Sequence, residues 1–177
     1  MTANTPAKAA RFRIRPRTEA DLDACVRVLA TVHERNAYPV NWPTDPPGWL
    51  TPDALLAAWV AEGENGESGE GILGHIVLSR SGEGDAAAAL WTGGPTAVVN
   101  RLYVDPAARG RGVGAALLAR AVTEAGSRSL HPVLDVASTD TAAAALYERQ
   151  SWTLLAEVEQ EWGPDQRVKV RCYTAPT

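Results

Sequence analysis

The chain has 177 residues, 45% of them hydrophobic and 21% charged, enough to bury one full core and too few for two ordinary domains. Seventeen basic against twenty-one acidic residues leave a formal charge of -4, which offers no general attraction to nucleic acid or to an anionic membrane. The opening MTANTPAKAA lacks the apolar centre of a secretory signal, and no later run is long enough to span a bilayer, so a cytoplasmic protein is expected. Cys25 and Cys172 stand far apart without a second ligand pair, which suggests two inert thiols and neither a disulfide framework nor a metal site.

Residues 1–10 are small and polar and are expected to be a loose tail, with a single domain over 11–177. Phe12 and Ile14 alternate with arginines as a first strand. Thr18, Glu19 and Asp21 form a helix start, and Leu22, Cys25, Val26, Leu29 and Val32 keep helical spacing after it. The stretch NAYPVNWPTDPPGWL over 36–50 holds four prolines and two tryptophans and is expected to be a stiff apolar loop without helix or central strand. A short helix is predicted over 51–58, with Pro52 in its first turn. Strands over 59–62 and 72–80 follow, joined through GENGESGEG, and the Gly- and Ala-rich segment 81–95 has no clear period and is predicted as a loop.

The pattern then becomes mixed α/β. A strand is predicted over 98–104, a helix over 113–125 with Val113, Leu117, Leu118, Ala121 and Val122 on one face, a strand over 133–137 and an alanine-rich helix over 141–149. Two closing strands, 152–161 and 168–173, flank the turn Gly163-Pro164.

The most specific stretch is VVNRLYVDPAARGRGVGAALLARAV. Its strand breaks at Asp105-Pro106, and a helix begins inside Arg109, Gly110, Arg111, Gly112, Val113 and Gly114. Unpaired N–H groups and the positive end of a helix dipole bind a diphosphate, and glycines let it approach the backbone closely. Arg109 and Arg111 add charge-assisted contacts. A plain glycine turn with solvated arginines is the bland alternative. Gly110, Gly112 and Ala115 also satisfy a dinucleotide fingerprint, with Asp135 on the next strand, but there the strand runs almost directly into the first glycine, whereas here Asp105 to Arg109 intervene.

The stretch resembles the acetyl-CoA signature of the GNAT family of N-acetyltransferases: Arg or Gln, two residues, Gly, one residue, Gly or Ala, matched by Arg109, Gly112 and Gly114. LDVASTDTAAAALYERQSW is similar to the family's second half, with Asp140 where an Asn is usual, Tyr147 on the family's Tyr, and Ser151-Trp152 in place of Gly-Phe. The likeness spans roughly residues 11 to 174. It implies a mostly antiparallel, splayed sheet flanked by helices, with acetyl-CoA entering between the strands at 98–104 and 133–137.

The resemblance also implies roles. The N–H of Leu102 is expected to hold the acetyl oxygen and Val104 the pantetheine, with Arg109 to Gly114 on the diphosphate and Asp140 near the pantetheine. Tyr147 is the expected general acid, since a phenol with an ordinary pKa of about 10 is protonated at neutral pH. The base is less defined. Val98, on the strand where many relatives carry a glutamate, takes no proton, and Asn100 is no better. Asp135 in an apolar strand is either that base, through water, or a structural partner, and both readings stay open. His33, Glu34 and His75 are weaker candidates. The loop around Trp42 and Trp49 falls where the family builds its acceptor wall.

The expected function is therefore transfer of acetyl from acetyl-CoA to an amine, on a small molecule or on a peptide or protein N-terminus, with no nucleic-acid or membrane partner and with the oligomeric state open. A non-catalytic acyl-CoA-binding module is the main alternative and a dinucleotide-binding protein the next.

Overall fold

Seven strands form one sheet in the order β1-β2-β3-β4-β5-β7-β6. They are β1 (Phe12–Pro16), β2 (Leu55–Gly63), β3 (Ile72–Arg80), β4 (Thr96–Val104), β5 (His131–Ala137), β6 (Thr153–Gly163) and β7 (Gln166–Thr174). The helices are α1 (Leu22–Asn36), α2 (Pro46–Trp49), α3 (Ala86–Leu90), α4 (Val113–Ser127) and α5 (Thr141–Arg149). The structure is a computed structural model that describes residues 12–64 and 71–177. The expected tail, Arg11 and most of the connection between β2 and β3 lie outside the described residues.

Every neighbouring pair of strands is antiparallel except β4 and β5. Strand alternation divides the core between the two faces. Trp59, Ala61, Leu73, Ala97, Val99 and Leu134 pack with Leu117, Leu118 and Ala121 of α4 and with Tyr147 of α5. On the other face Val60, Ile72 and Tyr103 pack under α1 with Cys25, Leu29 and Val32, while Val98, Val133, Val170 and Cys172 pack under α3. Burial raises the Cys25 thiol to about 11 and the Cys172 thiol to about 12, the latter also under the charge of Asp135, so both stay protonated and inert.

Three segments differ from the sequence reading. Leu55 to Ala58 belong to β2 and form no helix. The run Leu55-Leu56-Ala57-Ala58 suits a helix locally, but Leu55, Ala57 and Ala58 pair with Ser79, Leu78 and Val77 of β3, and that ladder outweighs the preference. Within the proline loop, Pro46–Trp49 make one helical turn, because both prolines stand where no N–H is needed and the Asp45 carboxylate accepts the Gly48 N–H at 3.2 Å. Within 81–95, Ala86–Leu90 form the short helix α3, whose partner is described below.

Candidate functional site

β4 and β5 are in register only at Thr96, Ala97 and Val98, opposite His131, Pro132 and Val133. Beyond that point β4 keeps its pairing with β3, and β5 keeps its pairing with β7. The strands therefore part, and the edge of β4 from Val99 onward faces β5 without a ladder partner. A cavity of about 670 Å³ opens there. Its walls come from β4 (Val99 to Leu102), β5 (Asp135 to Ala137), Asp140 and Tyr147 of the α5 region, the segment after α1 (Tyr38 to Asn41), Trp49, and Trp162 of β6. Asn41 and Gln166 exchange amide hydrogen bonds at 3.0 and 3.3 Å, which ties the segment after α1 to the β6–β7 hairpin across the rim.

A bulge shapes the β4 wall. The β3–β4 register shifts between His75 and Val77, and Arg101 takes a left-handed backbone, φ 53. A non-glycine residue holds such a conformation only where its surroundings impose it. His75, fully buried on β3, supplies the constraint: its Nδ1–H donates to the Arg101 carbonyl at 2.9 Å, leaving Nε2 bare to accept from Arg17 at 2.8 Å. Arg17 is itself anchored on the Leu50 carbonyl and the Thr51 hydroxyl. The bulge sets Arg101 and Leu102 of β4 opposite the single residue Ile76 of β3.

Burial, reinforced by the charges of Arg17 and Arg101, pushes the His75 pKa down to about 3. The folded protein then refuses a proton that the unfolded chain accepts near pH 6.5. The His75 contribution is complete above that pH and is lost as pH falls toward 3. Denaturant titrations across this window are expected to show a His75 share of up to about 1.4 kcal/mol per pH unit. His75→Gln removes that share; equal slopes for the two proteins would show that His75 does not titrate this way.

Asp135 and Asp140 both line the cavity, and both hold backbone N–H groups. The Asp135 oxygens accept from Ala86 and Ala87 at 2.9 and 2.8 Å, so this carboxylate caps α3 from another strand. Asp140 is the N-cap of α5 and accepts from Ala143 at 3.1 Å. Ser151, which stands in place of the Gly of the family pattern, takes the left-handed conformation, φ 65, and ends α5 with the Trp152 N–H on the Tyr147 carbonyl.

Tyr147 projects from α5 into the cavity wall, its ring tilted against Trp152 and Tyr173 at 6.0 and 5.7 Å. Burial, then the neighbouring Tyr38, Asp140 and Tyr173, push its phenol well above the usual range. The phenol therefore keeps its proton at neutral pH.

The glycine turn lies where β4 leads into α4. Gly110 and Gly112 have φ 80 and 82, with open space where a Cβ would stand. The first α4 hydrogen bond is Ala116 N–H to the Gly112 carbonyl, and among the described residues no side chain caps the helix, so the N–H groups of Val113, Gly114 and Ala115 precede the ladder. This arrangement fits a diphosphate. Gly114 has a further reason to be small: a Cβ there would lie 3.1 Å from Leu146, where α4 packs against α5.

Of the remaining candidates, His33 donates its Nδ1–H to the Pro39 carbonyl at 2.8 Å, and Glu34 is exposed on α1. Trp49 lines the cavity, whereas Trp42 packs beside His33 outside it. The sequence reading missed Arg101 and Tyr38 as wall residues. The charged Arg101 inside an apolar strand was the available signal.

A family model described as "Acetyltransferase (GNAT) family" matches residues 27–152. No curated protein matches the chain by sequence. Among solved structures, the chain is similar to Arabidopsis thaliana NAA60 in complex with acetyl-CoA, at 17% identity and TM-score 0.69, covering 93% of this chain and 98% of that one. It is also similar to the ribosomal-protein-S18-alanine N-acetyltransferase from Escherichia coli, at 18% identity and TM-score 0.66, covering 94% of each chain. A third is yncA, a putative acetyltransferase from Salmonella typhimurium with its cofactor acetyl-CoA, at 22% identity and TM-score 0.65, covering 92% of each. At these identities the likeness establishes the fold.

Proposed function

The chain belongs to the acetyltransferase (GNAT) family, and from that membership we propose that it is an acetyl-CoA-dependent N-acetyltransferase acting on an amine of a small molecule or of a peptide or protein N-terminus. The observation that carries the reading is the parting of β4 from β5 after Val98, with an open glycine turn at one end and a protonated Tyr147 beside the cavity. Acetyl-CoA supplies an activated acyl group on a thioester. The chain's own residues do the rest.

In this reading the N–H groups at the start of α4, with Arg109 and Arg111, hold the diphosphate, and the unpaired edge of β4 around Val104 holds the pantetheine. The Leu102 N–H, set by the bulge, donates to the acetyl oxygen as negative charge grows there. Tyr147 gives its proton to the departing sulfur. The acceptor amine must attack in its neutral form, and the guanidinium of Arg101 on the adjacent residue disfavours the protonated one.

Asp135 is assigned here to structure. A carboxylate with both oxygens on backbone N–H groups of α3 is a cap, and loss of a charged hydrogen-bond acceptor costs about 1.5–3 kcal/mol. Asp135→Asn is expected to lower the unfolding free energy by about that amount and to leave the shape of the kcat/KM pH profile as it was. Loss of an acid limb from that profile, with stability intact, would return Asp135 to the role of base.

The function is tested by following free CoA thiol while acetyl-CoA is offered with a panel of amines. Amine-dependent thiol release, matched by N-acetylated product, is the expected result. Tight acetyl-CoA binding without release on any amine would favour a non-catalytic acyl-CoA-binding module, and protection from heat by a nicotinamide dinucleotide in place of CoA would sink both.

A further inference from the structure

Arg101 stands apart from the other buried or half-buried arginines. Arg15 is paired with Asp21 and Glu62 at 2.8 and 2.9 Å. Arg17 is spent on Leu50, Thr51 and His75. Arg101 donates Nε to the Trp49 carbonyl at 3.1 Å and lays its guanidinium over the Trp49 ring, 4.0 Å from the centroid. Among the described residues no carboxylate lies within ion-pair distance of it, and its two terminal nitrogens have no hydrogen-bond partner. A half-buried cation stacked on a ring, in a strained backbone position and on a cavity wall, is left without an anion among the described residues to offset its charge.

The free end of this guanidinium is a planar fork of two N–H-bearing nitrogens, which matches a carboxylate with two parallel hydrogen bonds. Tyr38 stands on the same wall near enough to sense the Arg101 charge, and its hydroxyl makes no hydrogen bond among the described residues, so a second donor is present. The two carboxylates of the cavity, Asp135 and Asp140, are on the β5 and α5 side, each held by backbone N–H groups. The surrounding surface of Tyr38, Val40, Trp49 and Trp162 is apolar.

We propose that the acceptor is a small amine that bears a carboxylate and an apolar side chain, and that Arg101, seated on Trp49, binds the carboxylate. This rests on the transferase reading above. Arg101 and Leu102 line one cavity, so an amine at the acetyl group and a carboxylate on the guanidinium fit one small molecule, of which an α-amino acid is the simplest. Polycationic amines are disfavoured by the same charge.

The test compares phenylalanine, methionine and tryptophan with their carboxamides, and adds spermidine. The carboxamides lose their amine proton more readily, so a preference for the acids is not an effect of amine basicity. Wild type is expected to favour each accepted acid over its amide by more than about tenfold in kcat/KM, the scale of a charged hydrogen-bonded pair. Arg101→Gln is expected to erase that advantage, and Arg101→Lys to keep part of it, while acetyl-CoA still protects both variants from heat. Turnover of amides or spermidine equal to that of the acids, or a preference that survives Arg101→Gln, overturns the inference and leaves the transferase reading intact. Calorimetric titration of the acids into CoA-loaded protein separates the opposite case: Arg101-dependent binding without thiol release upholds the carboxylate site and overturns the transferase reading. Neither turnover nor Arg101-dependent binding overturns both.

Discussion

Gly112→Val abolishes the heat protection that acetyl-CoA gives the wild-type protein. Ligand at about a hundredfold over its dissociation constant stabilises a folded protein by about 2.7 kcal/mol, and the wild type is expected to gain that much. Gly112 has φ 82 and is the residue from which α4 begins, with open space around the place of its missing Cβ. Valine there meets two obstacles. A β-branched residue is strained at this φ, so the turn must change shape and swing the N–H groups of Val113 to Ala115 off their common target. Its side chain also fills the space through which a diphosphate reaches the backbone. Among the described residues no packed atom lies near that site, so the fold itself loses stability mainly through the strained turn. Undiminished acetyl-CoA protection of this variant, by thermal shift, would show that the diphosphate is bound elsewhere.

Tyr147→Phe is expected to lower turnover by about 10²-fold or more, the scale of a positioned general acid. The ring stays packed against Trp152 and Tyr173, and only the hydroxyl is lost. That hydroxyl has no hydrogen-bond partner among the described residues, so its removal breaks nothing in the fold. Acetyl-CoA affinity should therefore hold while the chemical step slows. Because burial keeps the phenol protonated far above neutral pH, Tyr147 itself contributes no rising limb to the rate profile in the working range. Unaltered turnover in an assay limited by chemistry would mean that water reprotonates the thiolate.

What the sequence disclosed follows from how local each feature is. The glycine turn, the amphipathic α4 and Tyr147 on α5 are set by residues within one or two helical turns, and their spacing is visible in the chain. Leu55 to Ala58 were misread as helix because their place in the sheet is fixed by β3 partners some twenty residues along the chain, Val77 to Ser79. α3 was missed for the same reason: its first N–H groups are satisfied by Asp135, 48 and 49 residues away. An aspartate in an apolar strand signals that something needs a carboxylate, and only the fold tells whether that is a proton or a helix end. The bulge at Arg101 was invisible because no glycine marks its left-handed backbone, and the constraint comes from a buried histidine on β3. His75 was weighed as a base, yet it works by holding the Arg101 carbonyl.

The central claim is that the parting of β4 and β5 receives acetyl-CoA so that the acyl group meets the Leu102 N–H and Tyr147. A crystal structure with a thioether analogue of acetyl-CoA tests this most directly. The account predicts the diphosphate on the N–H groups that open α4, the pantetheine along the unpaired edge of β4 beyond Val98, and the sulfur within hydrogen-bond reach of the Tyr147 hydroxyl. An analogue bound outside the space between the two strands, or with its sulfur remote from Tyr147, would contradict it.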